Sequence, residues 1–330
     1  MPWLTAIPVY VWAGVFFPLT FILWFLKPIR NNKMVAILII LDYLGASLYC
    51  FYAINWVVVN YFYRFITLIL SVVIAFRLLV KVKKSPFLPK VSFFSLAGVG
   101  ISLLALLMVG YMDVRLFQSF DYKAYKDKPV LLWFPVRRGM YTIMNGGNGI
   151  YGLGMNDYLH DWLGQPTGKN PELAYAADIV KMDIYGHMSN GTLPNSSPEY
   201  LGMDDTVYSP CQGEVVFVGD SLPDVPPFSP KSNFSQDTML GNKIVIKCYI
   251  YYITLSNLRN EGIMVKAGNQ VFVGEIIASV GSSGANTIPH MHIHATIGGW
   301  NGEGQAVPML FDGVFAVNQF ATRNKIYIPH

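Results

Sequence analysis

The chain divides near residue 112 into two stretches of opposite pattern. Before it, four long apolar runs, residues 9–26, 34–54, 56–76 and 91–112, alternate with short polar connections. Each reaches or approaches the roughly 20 residues of helix needed to cross a bilayer core of about 30 Å. After it, apolar residues come in short runs broken by Gly, Pro and Asn: "GEVVFVG", "NKIVIKCYIYYITL", "QVFVGEIIASVG" and "PHMHIHATI". Short alternating runs with this punctuation, uninterrupted by long amphipathic segments, predict β-strands. The pattern therefore predicts a multi-pass membrane domain of four transmembrane helices over 1–112 and a linker over 113–129. A compact all-β domain follows over 130–330.

Composition sharpens the division. Charged residues make up 13% of the chain and hydrophobic residues 53%, and charge at about half the density usual in soluble proteins points to a membrane protein. The first run has no basic n-region and no A-x-A cleavage signal, which predicts a retained anchor in the bilayer. Lys27, Arg30 and Lys33 lie in the first connection, and Arg77, Lys81, Lys83, Lys84 and Lys90 in the third; the second, around Ile54 and Asn55, is uncharged. The positive-inside rule then places the first and third connections in the cytoplasm and everything after Met112 outside. No nucleic-acid partner is expected. Asp42 and Arg64 fall inside predicted spans at similar depth, which predicts a pairing that holds helices together. Cys211 and Cys248 fall on neighbouring predicted strands in an oxidising compartment; a bridge and two buried thiols are both open.

The chemistry concentrates late. All six histidines lie at or after His160, and "PHMHIH" puts three of them at alternate positions. On a strand, His290, His292 and His294 share one face, where one imidazole can bind a metal while its neighbour handles protons. An isolated H-x-H is more often a polar strand face, so the surrounding motifs decide.

In order, "YAADIVKMD", "VYSPCQGEVVFVGD", "GNKIVIK", "GIMVKAGNQVFVGEIIASVGSSG" and "PHMHIH" resemble the lysostaphin/LytM-type zinc metallopeptidases, which are bacterial cell-wall endopeptidases. The resemblance runs over about 146–297 and excludes the helical part. It implies a folded antiparallel β-sheet of duplicated-hybrid-motif type, a zinc ion, and peptidoglycan peptides as substrate. It also implies zinc ligands at His160, Asp178 and His292. His160 is the choice because the position close before Asp178, where an early histidine usually stands, is Ala174, and a longer loop moves it upstream. His290 is implied as the residue that bonds the attacking water or the oxyanion, and His294 as support for the ligands. His187 reads as a loop histidine, and His330 carries no signal.

Two histidines and a carboxylate leave one tetrahedral position open, as a catalytic zinc requires. One departure stands out. Where the family has a second non-ligand histidine, this sequence is read as placing Asn257, whose amide can donate a hydrogen bond but cannot carry a proton. Two readings follow: a membrane-anchored zinc endopeptidase, and a catalytically weakened cell-wall-binding or regulatory protein. "VKAGNQVFVGEIIASVG" also resembles half of a biotinyl or lipoyl carrier domain, but no hairpin tip presents a suitable lysine. The absence of H-E-x-x-H excludes a zincin.

Overall fold

The computed structural model describes residues 33–87, 93–123, 128–150, 155–159, 171–229, 238–285, 288–315 and 319–329. The first predicted span, residues 9–26, lies outside them. The chain forms two compact units. One is helical: α1 (Lys33–Ala53), α2 (Tyr63–Val82) and α3 (Phe93–Gln118). Each is long and apolar enough to cross a membrane. On α1 the residues Ala36, Ile40, Tyr43 and Ala46 form a buried stripe at spacings of three and four, and α2 offers Ser71 and Ala75. Such small residues let helices pack closely, and Ser47 Oγ donates to Ser71 Oγ at 3.0 Å across the α1–α2 pair. A Cβ on Gly45 would stand 2.7 Å from Val109 Cγ1, so the close approach of α3 needs glycine there.

Two expectations are corrected in this unit. The second predicted connection ends later than hydropathy indicates: α2 starts at Tyr63 rather than Trp56 and continues to Val82. Arg64 is therefore the second residue of α2, near the end of α1 instead of beside Asp42. Its guanidinium lies 3.9 Å from the centroid of the Phe51 ring. Phe51 is nine residues beyond Asp42, about 13 Å along the helix axis, and among the described residues Asp42 and Arg64 form no ion pair. The cation–π contact replaces the predicted pair.

The second unit holds Gln118–His330 together with the connecting segment Asn55–Tyr61. Its strands are β1 (Val130–Trp133), β2 (Met140–Asn145), β3 (Ala177–Met182), β4 (Thr206–Tyr208), β5 (Gly213–Gly219), β6 (Asn242–Cys248) and β7 (Tyr251–Leu258). They continue with β8 (Gln270–Val271), β9 (Ile276–Ser279), β10 (Met291–Ile297), β11 (Gln305–Val307), β12 (Met309–Asp312), β13 (Gln319–Phe320) and β14 (Ile326–Tyr327). The main nine-stranded sheet runs β14-β2-β3-β10-β7-β6-β5-β8, with β11 also on β10, and its described pairs are antiparallel. The expectation of a wholly antiparallel domain is corrected at one place: β1 pairs with β12 in parallel, in a separate three-stranded sheet.

Alternation along the strands sorts the two faces of the main sheet. Tyr141 and Ile143, Ala177 and Ile179, Ile244 and Ile246, Ile253 and Leu255, and Met291, Ile293 and Ala295 enter one apolar core. Fully burying an aliphatic side chain of this size stabilises by about 1.5–3 kcal/mol, so the register is strongly specified. A one-residue slip would turn the whole set over. The intervening residues Thr142, Asp178, Lys243, Thr254, Ser256, His292 and His294 therefore share the opposite face. Cys211 and Cys248 form a disulfide across 37 residues of sequence, a loop length whose closure is worth about 4 kcal/mol in the chain-entropy account.

Candidate metal centre

The site is built by register. On β10, His292 lies directly opposite Asp178 of β3 on one side and Ser256 of β7 on the other, and His294 lies opposite Thr254. Directly opposed residues point to the same face. His292 Nδ1 stands 2.9 Å from Asp178 Oδ1, and His290 Nε2 stands 3.5 Å from the same oxygen. Tyr158 closes the group: its hydroxyl is 2.8 Å from Asp178 Oδ1 and 2.7 Å from His292 Nδ1. All of Asp178, His290, His292 and His294 are buried.

Electrostatics set the charge of two of these groups. Burial pushes the Asp178 carboxyl up, but the charge and hydrogen bonds of His290 and His292 outweigh it and hold it well below the usual carboxylate range. Burial, then the charges of His292 and Lys243, hold His294 well below the usual imidazole range. His294 is thus neutral, and its Nδ1 lies 2.9 Å from His292 Nε2, so that one of the two rings donates to the other. His292 Nδ1 is the nitrogen that faces Asp178. His290 Nδ1 donates to the Ile288 carbonyl at 2.8 Å, so Nε2 is the nitrogen that faces the site.

Do these residues suit a zinc ion? Two donors each about 2.0–2.1 Å from a tetrahedral zinc stand about 3.3 Å apart, close to the 2.9 Å between Asp178 Oδ1 and His292 Nδ1. A ligating histidine ordinarily donates its other N–H to a neighbour that fixes the tautomer, and His294 plays that part. Thr254 Oγ1 and Ser256 Oγ are buried on the same face with no hydrogen-bond partner among the described residues, which is costly unless something polar occupies the site. The donor chemistry fits. Among the described residues no third His, Cys, Asp or Glu completes a metal-holding group. His160, the expected third ligand, lies outside the described residues, two positions after Tyr158 in the sequence.

The other expectations resolve individually. His187 sits in the turn after β3, its Nδ1 3.4 Å from Asp183 Oδ2, away from the Asp178 group. His330 lies outside the described residues. Asn257 is not brought to the histidines. Its side-chain amide donates to the carbonyls of Leu240 at 3.2 Å and Ser283 at 3.0 Å, and its φ of 61° is the left-handed conformation that asparagine tolerates best among residues with side chains. Asn257→His removes both donated bonds and adds strain. We expect it to lower thermal stability without raising turnover; a turnover gain of tenfold at unchanged melting temperature would refute that.

Three residues escaped the sequence reading: Tyr158, Thr254 and Ser256. Thr254 and Ser256 were legible in principle, as alternate positions of "YYITLSNL" opposite the histidine strand. Nothing in the local pattern around Tyr158 marks it.

Residues 201–306 match the model of peptidase family M23. The matched stretch includes His290, His292 and His294 but not Asp178. Among solved structures, a zinc-containing peptidase from Vibrio cholerae is 19% identical over 54% of this chain and 39% of its own, with a TM-score of 0.32. The antimicrobial peptidase lysostaphin from Staphylococcus simulans is 22% identical over 43% of this chain and 44% of its own, with a TM-score of 0.27. The catalytic domain of lysostaphin alone is 19% identical over 37% of this chain and 86% of its own, with a TM-score of 0.25. The chain spans about two fifths of the length of the first two. Overlaps this partial bear on neither mechanism nor substrate, and the likeness to the family is a sequence match over 201–306 alone. No curated protein matches the chain.

Proposed function

We propose, on the premise that residues 201–306 form an M23 peptidase domain of the lysostaphin/LytM type, that the chain is a membrane-anchored, zinc-dependent endopeptidase acting on peptidoglycan peptides. The observation that carries this reading is the convergence of the ionised Asp178 carboxylate and Nδ1 of His292, 2.9 Å apart and buried. His160, Asp178 and His292 would hold the ion. When bound, zinc supplies a Lewis acid for the scissile carbonyl and lowers the pKa of a water.

The chain's own residues do the rest. With the ion held at Nδ1 of His292, His294 Nδ1 would accept the Nε2 hydrogen of His292, 2.9 Å away, and so keep Nδ1 turned toward the metal position. His290, tethered at Nδ1 by the Ile288 carbonyl, presents Nε2 to exchange a proton with the nucleophile or the leaving amine. Tyr158, whose phenol is kept protonated by burial and then by the Asp178 charge, donates to Asp178 and steadies its orientation. Thr254 and Ser256 offer hydroxyls to a substrate lying across β7.

The location follows from three apolar helices and the flanking charges. Arg77, Lys81, Lys83 and Lys84 put the end of α2 in the cytoplasm by the positive-inside rule, which leaves the β unit outside, facing the wall. The Cys211–Cys248 bridge agrees with an oxidising compartment. Lys84→Cys in intact cells, with Cys50 replaced by Ser, should resist an impermeant thiol reagent; labelling from outside would overturn the orientation.

A second reading, a wall-binding or regulatory protein, draws on β7: the residues it sets opposite His292 and His294 are Ser256 and Thr254, neither of which carries a proton as a histidine would. The deciding experiment incubates the full-length protein in detergent with purified peptidoglycan and measures new amino termini alongside zinc content. The peptidase reading expects chelator-sensitive release. Zinc at full occupancy with no bond cut in any wall preparation would leave the regulatory reading.

A further inference from the structure

The segment Asn55–Tyr61 connects α1 to α2 in the sequence, yet it folds as part of the β unit. Its burial is nearly complete at Val57 (1% exposed) and Tyr61 (4%), and three hydrogen-bonding groups fix it. The Tyr61 N–H donates to the Gly186 carbonyl at 2.9 Å. Asn60 Nδ2 donates to the Tyr185 carbonyl at 2.8 Å and lies 3.0 Å from His187 Nε2. The Tyr61 hydroxyl donates to the Asn324 carbonyl at 2.8 Å. A helix connection that needed only to turn the chain would leave these groups to solvent.

From this segment two short routes lead to the metal centre. Val57 and Tyr61 share one buried apolar cluster with Val180 and Met182 of β3 and with Ile288. Val180 is two residues from Asp178 on the same face of β3, and the Ile288 carbonyl is the acceptor that orients His290. The second route starts at the Tyr61 hydroxyl. Asn324 follows Arg323, which is buried and donates from Nη2 to Asp157 Oδ2 at 2.6 Å and to Asn145 Oδ1 at 3.2 Å. Asp157 precedes Tyr158, whose hydroxyl touches both Asp178 and His292. One side chain, Tyr61, therefore stands behind both arms of the site.

We propose that Asn55–Tyr61 is a positioning element of the peptidase site, with Tyr61 holding His290 through Ile288 and Tyr158 through Asn324, Arg323 and Asp157. The segment runs directly into α1 at one end and α2 at the other. The site thereby has a covalent tie to the helical unit that bypasses residues 118–129, and its competence depends on how the α1–α2 connection is held. This rests on the peptidase reading for its functional consequence, but its structural core does not.

The test uses the full-length protein and Tyr61→Phe, which deletes one hydrogen bond and keeps the buried ring. Hydrogen exchange is read at residues 57–61, 155–159 and 288–294, with β5 and β6 as remote controls. In the native protein, amides 57–61 exchange slowly. In Tyr61→Phe, amides 155–159 and 288–294 exchange about tenfold faster, the controls are unchanged, and kcat falls with KM and zinc content unchanged. Free exchange of residues 57–61 in the native protein overturns docking. Unchanged exchange around the site, or equal acceleration in β5 and β6, overturns positioning and leaves only general stability. Val57→Ser provides the second variant, acting on the Ile288 route alone, and is expected to speed 288–294 without 155–159. A native protein that cuts no peptidoglycan but shows the local exchange pattern sinks the peptidase reading and leaves the positioning role standing.

Discussion

Asp178→Asn is expected to strip the protein of zinc, and His292→Ala to do the same, while His187→Ala leaves metal content unchanged. The reason lies in the proton inventory. Asp178 stays ionised because His290 and His292 offset the penalty of burial, and its oxygen stands 2.9 Å from Nδ1 of His292. An amide in place of the carboxylate removes the charge and turns an N–H toward one of the two neighbours. His294→Ala separates ligand from support. It leaves both donors but removes the ring nitrogen 2.9 Å from His292 Nε2 that would fix the tautomer of a ligating His292, and losses of this kind typically cost about 10–100-fold in metal affinity. His160→Ala belongs in the series, as the test of the third ligand. Metal analysis of the purified variants reads all of these outcomes without any assay of activity. Full zinc occupancy in Asp178→Asn would mean the carboxylate serves only to order the histidines.

How much of this was legible in the sequence differs from residue to residue. The alternation of "PHMHIH" was enough to put His290, His292 and His294 on one strand face, because a period of two has only one structural meaning in a strand. It could not identify what lay opposite. That depends on β3 and β7 pairing with β10, contacts separated by 114 residues in the case of Asp178 and His292, and only the family resemblance pointed to Asp178. The same resemblance misplaced attention on Asn257, one residue beyond Ser256 and so turned away from the histidine face. Its left-handed backbone and the two carbonyls it caps are tertiary facts, invisible in "YYITLSNL".

The helical end misled for a different reason. Trp56, Val57 and Val58 look the same to a hydropathy scan whether their destination is lipid or a protein core. Here Trp56–Val58 forms a short 3-10 turn in the β unit, and the helix starts only at Tyr63. The inferred depth of Arg64, and with it the pairing to Asp42, inherited that error. Sequence alone carries no signal that separates a membrane-spanning apolar residue from one that docks a loop, because transfer out of water favours both.

His290→Ala is expected to leave zinc bound and to lower kcat by a factor of about 10²–10⁴, the range for losing a positioned general acid–base. The side chain meets both conditions for that role. Its Nδ1 hydrogen is committed to the Ile288 carbonyl at 2.8 Å, which leaves Nε2 as the nitrogen toward the site, and that nitrogen lies 3.5 Å from the oxygen expected to hold the metal. A ligand would instead take the zinc with it when removed. A merely structural histidine would lower the melting temperature in step with the rate. The substitution His290→Gln separates the cases further, since an amide can offer an oxyanion a hydrogen bond but cannot shuttle a proton. Recovery of most of the rate by His290→Gln would assign the residue to oxyanion stabilisation, where a single donor is worth about 10²–10³. No recovery, with zinc still bound and the melting temperature unchanged, assigns it to proton transfer. If His290→Ala instead retains full kcat on a wall substrate that the native protein cuts, the proton must pass through another group. Tyr158 is then the first candidate, because its hydroxyl already touches both Asp178 and His292.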